Sequence, residues 1–145
     1  IKEMIQLDYN NEIELIKFVE KSGYFSKPLI VYKEAFENSR PNVIGLDNIQ
    51  NKSTNVSTNM DVLTINFSQE MDIRFRNFQL GSLGEESVIR FKDFRGFSND
   101  GKSVSFGIEK LKPLKKYQIV VGSGFRNIDG FPLIPYLIEF ETVDK

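Results

Sequence analysis

Short segments in which apolar and polar residues alternate recur every 10 to 20 residues along the C-terminal part of the sequence. Turn-forming residues separate them, and the pairs Asp100-Gly101 and Asp129-Gly130 supply the positive φ that tight turns require. Many short strands with such turns predict an antiparallel β-sandwich rather than a parallel α/β sheet. The predicted strands cover residues 62–67, 76–80, 87–94, 103–108, 117–121 and 136–142.

The N-terminal part of the chain has a different period. Residues 10–23 place apolar side chains at helical spacing between an Asn and a Gly, which predicts a short helix. A second helix is predicted to open at Ser26 and to end before Pro41. We therefore divide the chain into a helical segment, residues 1–40, expected to be the tail of an upstream domain or a connector to it, and a β-sandwich, residues 41–145.

Absent residue types narrow the chemistry that this sequence can perform. It contains no Cys and no His. These absences exclude thiolate and imidazole zinc sites, cysteine nucleophiles and Ser-His-Asp triads, so no cofactor is predicted. Nineteen basic against twenty acidic residues give no electrostatic case for nucleic acid. No apolar run approaches the roughly 18 residues needed for a membrane span.

Acidic residues in the predicted turns raise the question of a calcium site. Asp72, Asp100 and Asp129 all lie in predicted loops, and calcium takes carboxylate and carbonyl oxygens. Asp in an Asp-Gly turn also serves turn geometry alone, and no EF-hand spacing is present. Turn geometry is the favoured interpretation, and no metal site is predicted.

Carboxylate pairs are the other candidates for chemistry. Glu85, Glu86 and Glu109 could serve as acid and base in glycoside hydrolysis. Nothing in the sequence selects them among twenty acidic residues. We therefore predict that this chain by itself has no catalytic residue and is not an enzyme.

A proline-containing corner precedes one of the predicted strands. Pro113 leads into a strand that opens on Tyr117. This arrangement is typical of the tyrosine corner of Greek-key sandwiches, in which the ring packs inward and its hydroxyl bonds the backbone a few residues upstream. Pro113 and Tyr117 are therefore predicted to be structural residues, as are the turn residues Gly101 and Gly130.

Over about residues 41–143 the sequence resembles the bacterial immunoglobulin-like domain first associated with S-layer proteins. The most recognisable similarity is a strand that ends in Phe67-Ser68 and continues, after two variable residues, to Met71-Asp72. The sequence departs from the family at Phe131, where Asn is frequent, and in an irregular stretch at residues 81–86. The resemblance rests on residues 51–59, 63–72, 98–106 and 111–121.

The resemblance implies an immunoglobulin-like antiparallel β-sandwich of about seven strands in a Greek key, with Phe67 and Met71 as structural residues. It implies a non-catalytic accessory module of a secreted or cell-surface bacterial protein, acting as spacer, support or interaction domain. The location would be extracellular or in the cell envelope. The expected partners are an upstream domain of the same polypeptide and possible contacts with a cell-surface protein or a glycan.

Two alternatives remain open at this point. The chain could be the C-terminal part of a secreted hydrolase or peptidase whose catalytic domain lies upstream, in which case the helices at residues 10–39 belong to that domain. Tight packing of Ile16, Val19 and Phe36 on the sandwich would argue against this. The chain could also be a carbohydrate-binding module, which requires two or three coplanar exposed rings on one face. The candidate rings are Phe94, Phe97, Phe125 and Phe131.

Overall fold

A computed structural model describes residues 27–144, with side chains from residue 33 onward. The helix predicted at residues 10–23 lies outside this range, as do Ile16 and Val19. The second predicted helix is present as α1, Lys27–Asn38. Its second residue is Pro28, which lacks an amide hydrogen and is tolerated in a first turn because that hydrogen would have no intrahelical partner.

Seven strands within the described range form two antiparallel sheets. The four-stranded sheet has the order β1-β2-β5-β4, and the three-stranded sheet has the order β3-β6-β7. The predicted mainly β fold, a two-sheet antiparallel sandwich with about seven strands, is therefore confirmed. The strands are β1 (Val43–Leu46), β2 (Val62–Phe67), β3 (Phe78–Gln79), β4 (Phe91–Phe97), β5 (Ser103–Ile108), β6 (Lys116–Val121) and β7 (Tyr136–Glu141).

The order of the strands has a known counterpart. Constant-type immunoglobulin sandwiches place their first, second, fifth and fourth strands in one sheet and their third, sixth and seventh in the other. The same assignment holds here in chain order. Three connections therefore cross from one sheet to the other: β2 to β3, β3 to β4 and β5 to β6. They hold the two sheets face to face, so the inner face of each sheet is buried.

Aromatic rings from both sheets interleave in the core. Phe78 of the three-stranded sheet has its ring centroid 4.6 Å from Phe91 and 5.1 Å from Phe106, which both belong to the other sheet. Phe67 at the end of β2 contacts Phe125 at 5.5 Å. Burial of a large apolar side chain stabilises a fold by about 1.5–3 kcal/mol, so these rings hold the two layers together.

One strand was not predicted, and another was predicted at the wrong position. β1 was not predicted because its four residues are too few to show alternation, and its pairing with β2 shifts register between Val43 and Gly45. The strand predicted at residues 87–94 begins and ends later, at Phe91–Phe97. Gly96, which indicated a loop, has φ 102° and lies at a β-bulge inside β4.

The outer edge of β7 is covered by the polar loop that precedes β2. The amide of Lys52 donates to the carbonyl of Glu139 at 2.7 Å, and that of Val56 donates to Glu141 at 3.1 Å. The side-chain oxygen of Asn51 accepts from the amide of Glu139 at 2.8 Å. An open strand edge would pair with other chains, so this loop protects the three-stranded sheet.

The chain enters the sandwich at one end and leaves it at the other. The amide of Ile134, just before β7, donates to the carbonyl of Pro41 at 2.9 Å, so the chain enters beside the start of β7. We name this the α1 end. The amide of Val143, just after β7, donates to the carbonyl of Val56 at 2.9 Å, at the opposite end, which we name the far end. β7 has six residues and spans about 20 Å between them.

The C-terminal half of α1 packs on the sandwich. Phe36 is buried, and its ring centroid lies 5.6 Å from that of Phe131. The carbonyl of Ser39 accepts hydrogen bonds from the side-chain amides of Gln69 at 3.2 Å and Asn127 at 3.5 Å. The packing of Ile16, Val19 and Phe36 was expected to show whether the helices belong to the sandwich. Phe36 is the one of these three within the described residues, and it packs on the sandwich.

Arg40 adds a second attachment directly after the helix. Its Nε donates to the carbonyl of Pro132 at 3.1 Å, and its Nη2 donates to the carbonyl of Leu133 at 3.1 Å. Nη1 pairs with Glu37 on α1 at 3.2 Å. One guanidinium thus connects the last turn of the helix to the segment before β7. The domain boundary at residue 40 stays a prediction.

The corner before β6 has the geometry of a tyrosine corner. Tyr117 is buried, and its hydroxyl oxygen accepts a 2.8 Å hydrogen bond from the amide of Lys112, five residues upstream. Leu114 has φ 51°, which turns the chain after the exposed Pro113. The amide of Leu114 then donates to Val143 at 3.1 Å. The corner therefore ties the end of the chain to the start of β6.

The two turn glycines that the sequence selected both have positive φ, 70° at Gly101 and 89° at Gly130. Their surroundings differ. A Cβ at Gly101 would lie 2.8 Å from Cγ of Glu70 and 3.3 Å from the carbonyl oxygen of Met71, whereas nothing lies within 4 Å of one at Gly130. The amide of Met71 also donates to the Gly101 carbonyl at 2.8 Å. Met71 and Phe67 are both buried in the core.

Tyr117→Phe is expected to lower the free energy of unfolding by about 1 kcal/mol, because the amide of Lys112 loses its acceptor. Urea denaturation of the full chain measures this. Tyr136→Phe is the matched control: the Asn51 amide that bonds the Tyr136 hydroxyl keeps a second acceptor, the carbonyl of Leu137. Equal losses in the two variants would contradict the role of the corner.

Gly101→Ala is expected to destabilise the fold more than Gly130→Ala. Both substitutions place a Cβ in the left-handed region, which costs about 1–2 kcal/mol. Only at Gly101 must the turn also move away from Glu70 and Met71. Thermal and urea unfolding of the two variants measure the steric contribution as the difference between their losses of stability. An equal loss would show that residues 70 and 71 move aside without cost.

Candidate functional site

The candidate rings Phe94 and Phe97 both lie on β4, because the strand continues through the bulge at Gly96. Phe94 is 44% exposed. The two centroids are 6.1 Å apart and the ring planes meet at 67°. A sugar ring stacks on a flat aromatic surface, so these two rings do not offer the coplanar platform that carbohydrate binding would require.

The other two candidate rings face the interior. Phe125 is 0% exposed and packs against Phe67 and Phe78, so its expected place on a ligand surface is corrected. It follows Gly124 in a turn that folds back into the core rather than outward. Phe131 is half-buried, and its ring contacts Phe36 of α1. Its position supports the attachment of the helix.

Arginine side chains cover the aromatic rings at the α1 end. The guanidinium carbon of Arg76 lies 3.9 Å from the centroid of Phe94. Those of Arg126 and Arg74 lie 4.5 Å and 5.5 Å from the centroid of Phe75. Such cation–π contacts contribute about 0.5–1 kcal/mol each at exposed sites. They were not predicted, although the alternation Arg74-Phe75-Arg76 could have indicated a ring flanked by cations.

Within the described part of the chain, only one of these three arginines forms an ion pair. Arg74 forms an ion pair with Asp72 at 2.7 Å. Arg76 and Arg126 form no ion pair within residues 27–144, although each lies over a ring. The surface around Phe75 and Phe94 therefore presents two guanidinium groups that remain available to an anionic partner.

A shallow depression of about 720 Å³ lies beside these arginines. Three large apolar side chains line it and are exposed: Ile73 at 62%, Ile128 at 58% and Phe94 at 44%. Arg74 and Asp72 lie at its border. Exposed apolar residues that occur singly need no explanation, but three in one depression make it the candidate interaction surface of this module.

Asp72 is held by Arg74 rather than by any arrangement suited to a cation. Its carboxylate accepts from Nε of Arg74 at 2.9 Å, from Nη2 at 2.7 Å and from the Arg74 amide at 3.0 Å. The side-chain hydrogen bond from Arg74 is the main reason that the pKa of Asp72 is lowered to about 2. Arg126 adds a smaller attraction.

The remaining acidic candidates occupy turns. Asp100 accepts from the hydroxyl of Ser98 at 2.6 Å and from the amide of Lys102 at 3.0 Å, and these hydrogen bonds, Ser98 first, lower its pKa. Asp129 is exposed in the next turn. In the part of the chain that the structure describes, no three His, Cys, Asp or Glu residues come together in a way that could hold a metal ion.

The glutamates weighed for glycoside hydrolysis do come together. Glu85 and Glu86, on a 3₁₀ turn, line a depression of about 470 Å³ with Glu109. Basic side chains interleave with them and all three glutamates are exposed, so their charges are solvated and screened. No observation singles out one of them as acid or base. The basic residues in the depression are Arg90, Lys110, Lys112 and Lys115.

α1 is the only α-helix within the described residues, and at 12 residues it is too short to cross a bilayer.

Asp72 is expected to titrate with a midpoint near pH 2, which carboxyl carbon NMR measures directly. Because this pKa lies below the ordinary value of 3.8, the pair with Arg74 stabilises the fold above pH 3.8, and that contribution is lost as the pH falls toward 2. Arg74→Gln should move the midpoint toward 3.8, whereas Arg90→Gln should not. An unchanged midpoint in Arg74→Gln would contradict this assignment.

Comparison with known proteins gave matches among solved structures only. No family model and no curated protein matches the chain. The crystal structure of the S-layer protein rSbsC(31-844) aligns with 94% of this chain at 16% identity and a TM-score of 0.49. That of the N-terminal part of the bacterial S-layer protein SbsC aligns with 97% at 18% identity and the same TM-score. The structural neighbours of this chain thus include fragments of a bacterial S-layer protein. The chain spans only 20% and 30% of the length of these two structures.

Proposed function

We propose that this chain is a non-catalytic, immunoglobulin-like accessory module that acts as a spacer within a larger bacterial protein. The observation that supports this most directly is the path of the chain. It enters at Pro41 beside the start of β7 and leaves after Thr142, so its two connections lie at opposite ends of the sandwich. A module with this path adds its own length, about 20 Å of strand, between whatever precedes and follows it.

The attachment of α1 supports a rigid spacer rather than a flexible one. A spacer sets orientation only if its junction with the preceding segment is fixed. Arg40 bonds the carbonyls of Pro132 and Leu133, and the carbonyl of Ser39 accepts from Gln69 and Asn127. These contacts join the end of the helix to the sandwich at both sides of the connection, so the two are expected to move as one body.

The strand edges also suit a module that works in series with others. Modules placed next to each other must avoid pairing edge to edge. β7 is covered by the 51–56 loop, and β4 carries two irregularities in its pairing with β5, one on each side of Asp93. The exposed β4 side chains Lys92, Asp93 and Arg95 add charge to that edge. These two of the four edge strands therefore resist the addition of a neighbouring strand.

We place the parent protein outside the cytoplasm, in the cell envelope or secreted, with an upstream domain as the module's main partner. The sequence resemblance to bacterial surface modules supports this location. Docking of Phe36 and Arg40 on the sandwich favours α1 as part of this unit rather than of an upstream hydrolase or peptidase. The angle between Phe94 and Phe97 gives no support to a carbohydrate-binding module.

The rigidity of the junction can be measured in the full chain. Because the chain has no Cys, spin labels can be placed at Glu34→Cys on α1 and Lys110→Cys at the far end without background. Pulsed electron paramagnetic resonance should give one narrow distance distribution. Arg40→Ala should broaden it, because the guanidinium no longer holds the helix, whereas the matched control Arg90→Ala should not.

A broad distribution in the unsubstituted chain would contradict a rigid spacer. The non-catalytic part of the proposal is tested separately, with panels of glycoside, ester and peptide substrates and with a glycan array. No turnover and no retention on glycans are expected. Saturable turnover by the purified chain would overturn the proposal even if the junction proved rigid.

A further inference from the structure

We propose that Asp129-Gly130 is a site of spontaneous isomerisation, at which the backbone linkage passes from the α-carboxyl group to the side-chain carboxyl group of Asp129. The product is isoaspartate, and the reaction needs neither an enzyme nor a cofactor. The other Asp-Gly pair of the chain, Asp100-Gly101, consists of the same two residues but is held in a form that resists the reaction. The proposal does not depend on the spacer role.

The reaction requires a carboxyl group and the next amide nitrogen that can approach each other. The nitrogen of Gly130 attacks Cγ of Asp129, the new N–Cγ bond closes a succinimide ring, and the carboxyl hydroxyl leaves as water with the amide proton. Water then adds to one of the two ring carbonyls. Addition at the former backbone carbonyl breaks its bond to nitrogen and leaves the chain running through Cγ. One molecule of water is lost and one is regained.

The surroundings of Asp129 allow this approach. Asp129 and Gly130 are both exposed, and a Cβ at Gly130 would find no atom within 4 Å, so the ring has room to close. Within residues 27–144 the carboxylate of Asp129 takes part in no hydrogen bond or ion pair. The amide of Gly130 donates to the carbonyl of Asn127 at 3.0 Å, a bond within one turn that local opening can release.

The surroundings of Asp100 oppose the reaction. Its carboxylate accepts from the hydroxyl of Ser98 at 2.6 Å and from the amide of Lys102 at 3.0 Å. These bonds, Ser98 first, lower the pKa of Asp100 and keep the carboxyl group ionised, without the hydroxyl that must leave. Gly101 is buried, and its carbonyl accepts from the amide of Met71 at 2.8 Å. The turn therefore cannot open without breaking contacts outside itself.

Isomerisation at Asp129 acts on the attachment of α1. The side-chain oxygen of Asn127 closes the turn by accepting from the amides of Asp129 at 3.0 Å and Phe131 at 2.9 Å. Isoaspartate adds one methylene to the backbone between these two amides, so the turn cannot keep both bonds in place. The same asparagine donates to the carbonyl of Ser39 at 3.5 Å, and the ring of Phe131 contacts Phe36. The modified chain is therefore expected to hold α1 less firmly.

Incubation of the full chain in water enriched in heavy oxygen tests the site, because each passage through the succinimide incorporates one oxygen from water. Trypsin cleaves after Arg95, Lys102 and Arg126, which places the two pairs in separate peptides, residues 96–102 and 127–145. Fragmentation of the peptides assigns the label to the aspartates. Label should accumulate several-fold faster at Asp129 than at Asp100. Equal rates in the folded chain would overturn the proposal.

The same incubation in urea separates the structure from the local sequence. The two rates should become similar in the unfolded chain, because the hydrogen bonds that hold Asp100 are lost. If the difference between the two sites were as large in urea as in the folded chain, flanking residues would account for it and the proposal would be wrong.

Two variants test the assignment in opposite directions. Asp129→Glu should abolish labelling at position 129, because attack on a glutamate side chain must close a larger ring that forms far more slowly. Labelling at Asp100 should stay unchanged in that variant. Ser98→Ala should raise the labelling rate at Asp100 several-fold and leave Asp129 unaffected. No increase in Ser98→Ala would contradict the protective role of the hydrogen bond.

Urea denaturation measures the effect on the fold. A sample that has accumulated isoaspartate should unfold at a lower urea concentration than a fresh one, whereas Asp129→Glu incubated alongside should keep its midpoint. Isoaspartate at position 129 without any change in the midpoint would refute its effect on the attachment of α1.

Discussion

Contact between the rings of two sheets is the interaction on which the rest of this structure depends. Phe78 lies on a strand of only two residues, yet its ring touches Phe91 and Phe106 of the opposite sheet and Phe125 in the turn beyond β6. Backbone pairing of two residues could not hold β3 by itself. The ring holds this short strand in place, and the strand in turn fixes the segment that carries Arg74, Phe75 and Arg76.

How far the fold could be predicted depended on how local each element is. β2 and β5 alternate regularly because each has one buried and one solvated face, and their bounds were predicted without error. β1 escaped prediction because four residues cannot show a period, and β4 was misplaced because a bulge glycine has the same sequence signal as a turn glycine. The hydrogen bond of the tyrosine corner was predictable because it is local: its donor, the amide of Lys112, lies only five residues before Tyr117.

The candidate surface was far less predictable, because its members are distant in the sequence. Sequence reasoning selected Phe94, Phe97, Phe125 and Phe131 as rings that could be exposed, but burial is decided by packing, and Phe125 became part of the core. Ile73 and Ile128 were not singled out, since isolated apolar residues in loops carry no signal. Only the crossing of the chain from one sheet to the other brings them into one depression.

The cover on the β7 edge has a consequence for how the chain matures. The bond between Asn51 and Glu139 joins positions 88 residues apart, so the polar loop cannot bind its partner strand until β7 has been synthesised. Contacts of such long sequence separation form slowly, because the chain entropy must be lost first. Until β7 is in place, β6 forms the outer edge of an incomplete sheet that the loop cannot yet cover, so the partly synthesised module exposes an edge that other chains could pair with.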